Sequence, residues 1–101
     1  MFIGEVLGAV VTTRKTDNMD GLPLRIVRKV TTEAADATET YTVAVDAVGA
    51  SVGEYVLVSS GSSARQTTQT DARPVDAIIF AIVDTWNVDN RVIYDKAAVK
   101  T

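Results

Sequence analysis

The chain has 101 residues, of which 47% are apolar and 6% aromatic, and its 13 acidic and 10 basic side chains give a net charge of −3. This length fits one domain, residues 1–101, and an excess of β-branched over aromatic residues favours strands. The chain contains no histidine and no cysteine, which excludes disulfides, thiolate metal sites and the commonest catalytic base and thiol nucleophile. The negative net charge argues against nucleic-acid binding, which requires clustered basic side chains.

The apolar content is high for so small a soluble chain, and we expect part of it to be buried between subunits. The N-terminal residues lack the basic start and apolar core of a signal peptide. No apolar run approaches the ~20 residues needed to cross a bilayer. We therefore expect a soluble cytoplasmic protein with no membrane partner.

The first half of the chain predicts two strands and a loop. Residues 2–13 form a first strand with apolar residues on both faces, and residues 22–30 form a second whose apolar face is broken by Arg28. Arg28 is expected at a rim or beside a bulge. The outer side of the first strand is covered either by a neighbouring subunit or by another layer of its own chain. Residues 31–40 are predicted to be a mobile surface loop.

Two further strands, residues 41–48 and 54–59, flank a glycine-rich corner, Gly49-Ala50-Ser51-Val52-Gly53. Asp46 lies on the opposite face from its apolar neighbours, where it can receive backbone donors from the corner. The glycines at both ends of the corner permit positive φ. The sequence therefore predicts two strands joined by a fixed connection.

After Gly61, a serine can cap a short helix that includes residues 64–66. Residues 75–85 form the longest apolar run and predict a strand buried on both faces. Asp89-Asn90 predicts a hairpin turn into a last strand, 91–94, and residues 96–101 are expected to be a loose tail. Strands at this spacing, with one short helix and no βαβ alternation, predict an all-β fold with a small closed barrel.

The polar residues offer no catalytic arrangement. Serines cluster at residues 59–63, but no lysine is placed to activate them, and capping or turn formation is their expected role. Asp46 and Glu54 could approach each other, yet two carboxylates without a third oxygen donor make a poor calcium site. The glycines match neither a P-loop nor a dinucleotide fingerprint. We expect no enzyme activity, no cofactor and no bound metal.

The glycine corner and the turn Gly61-Ser62-Ser63-Ala64-Arg65 together carry a family resemblance. Supporting segments are the end of the first strand at residues 11–15, the stretch 74–77 and the stretch 82–84. The pattern closely resembles the vertex proteins of bacterial microcompartment shells, the family of the ethanolamine-utilisation and carboxysome pentamers. Residues 87–96 look more like the carboxysome branch.

This resemblance implies an OB-like β-barrel that assembles as a homopentamer at the vertices of a microcompartment shell, beside hexameric shell proteins. Arg65 follows four small residues, and its guanidinium suits bidentate pairing with a carboxylate. We expect it to pair with Asp76 or Glu54 where neighbouring subunits meet, and the alternatives are a pair within one chain or a solvated arginine. The residues expected in the motifs or at the subunit contact are Gly49, Ala50, Gly53, Glu54, Gly61, Ser62, Ser63, Ala64, Arg65 and Asp76.

A second function remains open at this stage. An OB-type barrel can bind an oligonucleotide or a sugar, and such modules display aromatic stacking platforms on basic strands. Here the aromatic residues are few and Trp86 lies near the end of an apolar run. A structural shell protein is therefore the favoured function.

Overall fold

The computed structural model describes residues 1–12, 21–61 and 76–98. These ranges contain strands and a 3₁₀ turn at Lys96–Ala98. None of the helices in these ranges has the length and apolar character needed to cross a bilayer. The strands are β1 (Phe2–Val10), β2 (Leu24–Val30), β3 (Ala37–Asp46), β4 (Tyr55–Ser60), β5 (Ala77–Ile82), β6 (Thr85–Val88) and β7 (Arg91–Asp95).

Five of the strands form a closed barrel in the order β1-β2-β3-β5-β4. β1 is antiparallel to both β2 and β4, and β4 is antiparallel to β5. The ring is completed by a parallel pairing in which Val45 of β3 lies opposite Ile78 of β5. The predicted small all-β barrel is thus confirmed. The short helix predicted after Gly61 lies outside the described residues.

The barrel encloses one main core of small and β-branched side chains, as the scarcity of aromatic residues predicted. Alternate residues of the barrel strands point inward, so each of β1 to β5 contributes to this core. Gly4 allows β1 and β2 to approach closely, because a Cβ at this position would overlap Cγ1 of Val27. The buried members of this core are Val6, Val27, Ala44, Ala50, Val56, Val58, Ala77 and Ile79.

β1 lies between β2 and β4 in the barrel wall. Val6 is fully buried in the core, whereas Ile3, on the opposite side of the strand, is half-buried and pairs with Leu57 of β4. The ladder to β2 shifts register between Val6 and Gly8. Such a bulge increases the local bend of a strand, which a small closed barrel requires.

A second register shift, between Arg28 and Val30, lies where β2 meets β3. The predicted alternatives for Arg28 included a bulge of this kind, and the structure places one directly beside it. Arg28 pairs with Tyr41 of β3 on the outside of the barrel.

Several predicted boundaries need correction. β1 ends at Val10 rather than at residue 13, and β2 begins at Leu24 rather than at residue 22. The predicted loop 31–40 is wrong at its end, because β3 already begins at Ala37. The predicted strand 75–85 divides into two, β5 and β6, which belong to different sheets.

β6 and β7 form a separate two-stranded sheet. The predicted hairpin turn is confirmed: Asp89 and Asn90 both have positive φ, 51° and 63°, as a type I′ turn requires. The tail predicted after residue 95 begins instead with the 3₁₀ turn Lys96–Ala98.

Candidate functional site

Asp46 organises the corner that joins β3 to β4. Its side chain is fully buried, and its Oδ1 accepts hydrogen bonds from the backbone N–H groups of Val48 at 3.1 Å and Gly49 at 2.9 Å. Its Oδ2 accepts a third from the N–H of Ala50 at 2.8 Å. A carboxylate that collects successive backbone donors makes strong, charge-assisted hydrogen bonds. The predicted role of Asp46 as an acceptor for the corner is confirmed.

Arg25 of β2 ties the same carboxylate to the barrel wall. Its Nε lies 3.3 Å from Oδ2 of Asp46 and also donates to the carbonyl oxygen of Ala50 at 3.4 Å. The Arg25 side chain is 26% exposed, so water still reaches part of the guanidinium. One cation therefore connects β2 both to the end of β3 and to the corner.

Backbone geometry explains the residue types at the other positions of the corner. Gly49 and Gly53 have φ of 75° and 93°, values that favour glycine, while Ala50 is buried in the core. Glu54 closes the corner, because its Oε1 accepts a 2.7 Å hydrogen bond from the N–H of Ser51. The four predicted residues Gly49, Ala50, Gly53 and Glu54 thus lie in one compact connection.

Glu54 also holds the C-terminal part of the chain through an ion pair with Lys96. The hydrogen bond from Lys96 and that from the Ser51 N–H hold the pKa of the Glu54 carboxyl below its usual value. The same contact raises the pKa of Lys96. No sequence pattern indicated this pair, because its members are 42 residues apart.

An aromatic cluster attaches the β6–β7 hairpin to the barrel. Tyr55 meets Trp86 edge-on with ring centroids 5.5 Å apart, and it meets Tyr94 at 4.6 Å. Trp86 Nε1 donates to the carbonyl oxygen of Thr32 at 2.9 Å. Desolvation by burial, with the negative charge of Glu5, raises the pKa of Tyr55. These contacts dock a ribbon that would be marginally stable alone.

Gly61 and Asp76 lie at the two ends of the segment 62–75, which is outside the described residues. The N–H of Gly61, which has φ of 67°, donates to the carbonyl oxygen of Asp76 at 2.8 Å. The predicted residues Ser62, Ser63, Ala64 and Arg65 lie within that segment. The pairing of Arg65 with Asp76 or Glu54 therefore stays a prediction.

The arrangement is suited to fixing a shape. In residues 1–12, 21–61 and 76–98, no group of three or more acidic side chains is placed to hold a metal ion. The buried carboxylate of Asp46 already accepts three hydrogen bonds and an ion pair. Its acceptor sites are therefore engaged by the corner and by Arg25.

Known proteins resemble this chain in both sequence and fold. The carboxysome shell vertex protein CcmL of Synechococcus elongatus is 47% identical over 95% of this chain and 96% of its own length. The solved structure of Gloeobacter violaceus CcmL superposes with a TM-score of 0.91 at 43% identity, covering 96% of this chain and 99% of that one.

A solved structure of a differently named relative has the same fold. The solved GrpN pentameric microcompartment shell protein from Rhodospirillum rubrum gives a TM-score of 0.79 at 41% identity and covers 87% of this chain and 99% of that one. The family model described as "Ethanolamine utilisation protein EutN/carboxysome" matches residues 1–84. The chain therefore belongs to the EutN/carboxysome family of microcompartment shell vertex proteins.

Proposed function

We propose that this chain is a structural shell protein that forms homopentamers at the vertices of a bacterial microcompartment in the cytoplasm. The observation that carries the proposal is the 47% identity, over nearly the whole of both chains, to a relative named as a carboxysome shell vertex protein. The GrpN structure, described as pentameric, supports the assembly state. The mechanism is geometric: hexagonal tiles alone make a flat sheet, and five-fold corners supply the curvature that closes it.

The proposal includes the whole chain, residues 1–101, acting as one vertex domain. The aromatic contacts of Tyr55 with Trp86 and Tyr94 support this, because they join the hairpin to the barrel. Hexameric shell proteins of the same compartment are the proposed partners. No catalytic role and no cofactor are proposed, since the corner uses its polar groups to hold its own backbone.

A carboxysome is the compartment that we favour. The CcmL relative is 47% identical over 95% of this chain, whereas the solved EutN structure from Escherichia coli is 33% identical and covers 96% of it. A metabolosome is the alternative. Neighbouring genes decide between them, because genes for Rubisco would support a carboxysome and genes for aldehyde or alcohol dehydrogenases would contradict it.

Native mass spectrometry tests the assembly. The purified protein should give a species of five times the 10.8 kDa mass of one chain at micromolar concentration. Co-expression with the hexameric shell proteins of its own genome should then give closed polyhedral shells by electron microscopy, and omission of this chain should give open or elongated ones. A monomer that leaves shell closure unchanged would refute the proposed function.

A further inference from the structure

The hairpin made of β6 and β7 is attached to the barrel without being part of its wall. Its two strands pair with each other in their own sheet, while the barrel closes through β1 to β5. Every residue from 85 to 98 is half-buried or exposed. The buried members of the barrel's core clusters lie between residues 6 and 79. The barrel can therefore keep its closed ladder and its core when the hairpin leaves its surface.

We propose that β6, β7 and the 3₁₀ turn form a strap, residues 85–98, that releases from the barrel as one unit while the barrel stays closed. The inference is drawn from contacts within one chain, so it goes beyond the proposed shell role and does not depend on it. The strap is a conformational device with two states. In the docked state it joins the elements on either side of β1, and in the released state those elements are no longer joined.

Two polar contacts hold the docked strap at different places on the barrel. Trp86 Nε1 donates at 2.9 Å to the carbonyl oxygen of Thr32, which follows β2. Lys96 forms an ion pair with Glu54, which precedes β4. β2 and β4 are the two neighbours of β1 in the barrel wall. The strap therefore connects one neighbour of β1 to the other.

The apolar part of the docking surface consists of aromatic rings. Tyr55, the first residue of β4, packs against Trp86 and Tyr94 of the strap, and the centroids of these two rings lie 5.4 Å apart. Ring pairs at such distances attract each other. All three side chains are half-buried, so water already reaches part of each. Separating them exposes less apolar surface than opening the barrel core does.

A hinge for this release lies between β5 and β6, which are separated by Val83 and Asp84. The N–H of Val83 donates to the carbonyl oxygen of Tyr55 at 2.8 Å, so Val83 is bound to the barrel. The carbonyl oxygen of Asp84 accepts a 2.7 Å hydrogen bond from the N–H of Lys96, which closes the base of the strap. The backbone hydrogen bonding thus changes from barrel to strap at the link between these two residues. Cooperative local opening of a protein occurs in contiguous units of this kind.

Release changes the barrel surface beside the glycine-rich corner. Glu54 loses its Lys96 partner but keeps the hydrogen bond from the Ser51 N–H, so the corner itself remains formed. The Tyr55 ring loses both of its aromatic neighbours and becomes accessible to solvent. A two-stranded ribbon is marginally stable alone, so the released strap also loses its own ladder. Its backbone amides then exchange with solvent, which makes the release measurable.

Hydrogen–deuterium exchange followed by mass spectrometry measures the release in the native full-length protein. Peptides that cover β6 and β7 should exchange at least about tenfold faster than peptides that cover β4 and β5, because barrel amides are exposed only when the core opens. Low concentrations of urea should accelerate the barrel amides more than the strap amides, since the effect of urea scales with the surface exposed. Both strands of the strap should show one opening rate.

Substitutions at the two polar contacts give the second measurement. Trp86→Phe keeps an aromatic ring but removes the hydrogen bond to Thr32, so exchange in the strap should rise about threefold to tenfold while β4 and β5 stay within about twofold of wild type. Lys96→Met removes the other contact and should accelerate the strap by a smaller factor, because exposed ion pairs contribute little. Val92→Thr is the matched control, since it keeps a β-branched residue at a position in β7 that is 68% exposed, and it should leave exchange unchanged.

Three results would overturn the proposal. Equal exchange rates and equal urea dependence in the strap and the barrel would show that the two open together. An exchange gradient that starts at the turn Asp89-Asn90 would show that the hairpin frays from its tip and does not release as a unit. A Trp86→Phe variant that accelerates β4 and β5 as much as the strap would make the Thr32 contact part of the barrel's own structure. Should that variant fail to fold, as judged by circular dichroism, Lys96→Met decides by the same comparison.

Discussion

Replacing Asp46 with asparagine tests whether one buried carboxylate fixes the corner between β3 and β4. Asp46→Asn keeps the shape of the side chain, but it removes the charge and turns one acceptor into a donor. If the new amide group takes the place of Oδ2, it faces the N–H of Ala50 and the Nε of Arg25. If it takes the place of Oδ1, it faces the N–H groups of Val48 and Gly49. In either orientation, the N–H donors of the asparagine amide face other N–H donors.

The expected loss follows from these contacts. A hydrogen bond to a charged group contributes about 1.5–3 kcal/mol, and breaking a buried ion pair costs about 3–5 kcal/mol. The Arg25 side chain is 26% exposed, so water can compensate part of the broken pair. We therefore expect Asp46→Asn to lower the free energy of unfolding by about 2–4 kcal/mol, a large share of the ~5–15 kcal/mol of a typical domain.

Urea unfolding followed by circular dichroism measures this loss. Wild type and variants must be compared at one protein concentration, because assembly also stabilises the folded chain. Asp36→Asn is the matched control, since Asp36 is exposed and the same change there should stay within about 0.5 kcal/mol of wild type. If the two variants unfold with equal free energy, the carboxylate of Asp46 does not hold the corner.

Two further predictions concern the barrel wall and the Glu54–Lys96 pair. Gly4→Ala should destabilise the protein by about 1–3 kcal/mol in urea unfolding, because its Cβ would overlap Val27, whereas Gly8→Ala, whose Cβ meets nothing within 4 Å, should be close to neutral. Lys96→Met should lower the melting temperature most between pH 4.5 and 10.5, the usual pKa values of the two groups. The lowered pKa of Glu54 means that its stabilisation disappears as the pH falls through that pKa, and the raised pKa of Lys96 means that its stabilisation disappears as the pH rises through it. A difference from wild type that is independent of pH would show that the ion pair contributes nothing.

The barrel could be predicted from sequence because its strands have local signals. Val56 and Val58 alternate with half-buried residues in β4, and the run that contains Ile78 and Ile79 is apolar on both sides. Asp46 was recognisable because a lone carboxylate preceded a glycine-rich corner. In each case the decisive residues are neighbours along the chain.

The features that the sequence did not predict involve polar strand ends and contacts between residues that are distant along the chain. The start of β3, Ala37–Thr40, is polar and largely exposed, so alternation gave no signal there. Lys96 was assigned to a loose tail because its partner Glu54 is 42 residues away. The exposure of Tyr41 could not be predicted either. The alternation of side chains along a strand shows which residues share a face, but it does not show whether another part of the protein covers that face.

The strand order of the barrel also governs the sequence of events as the chain is made. β1 leaves the ribosome first, yet its second neighbour, β4, ends only at Ser60. β3 can pair with β5 only after β5, which ends at Ile82, has been synthesised. Until then the growing sheet has open edges, and open edges invite pairing with other nascent chains. Ring closure between distant segments is also slow, so the barrel can close only after β5 has been made, and a vertex can form only from subunits that have completed this step.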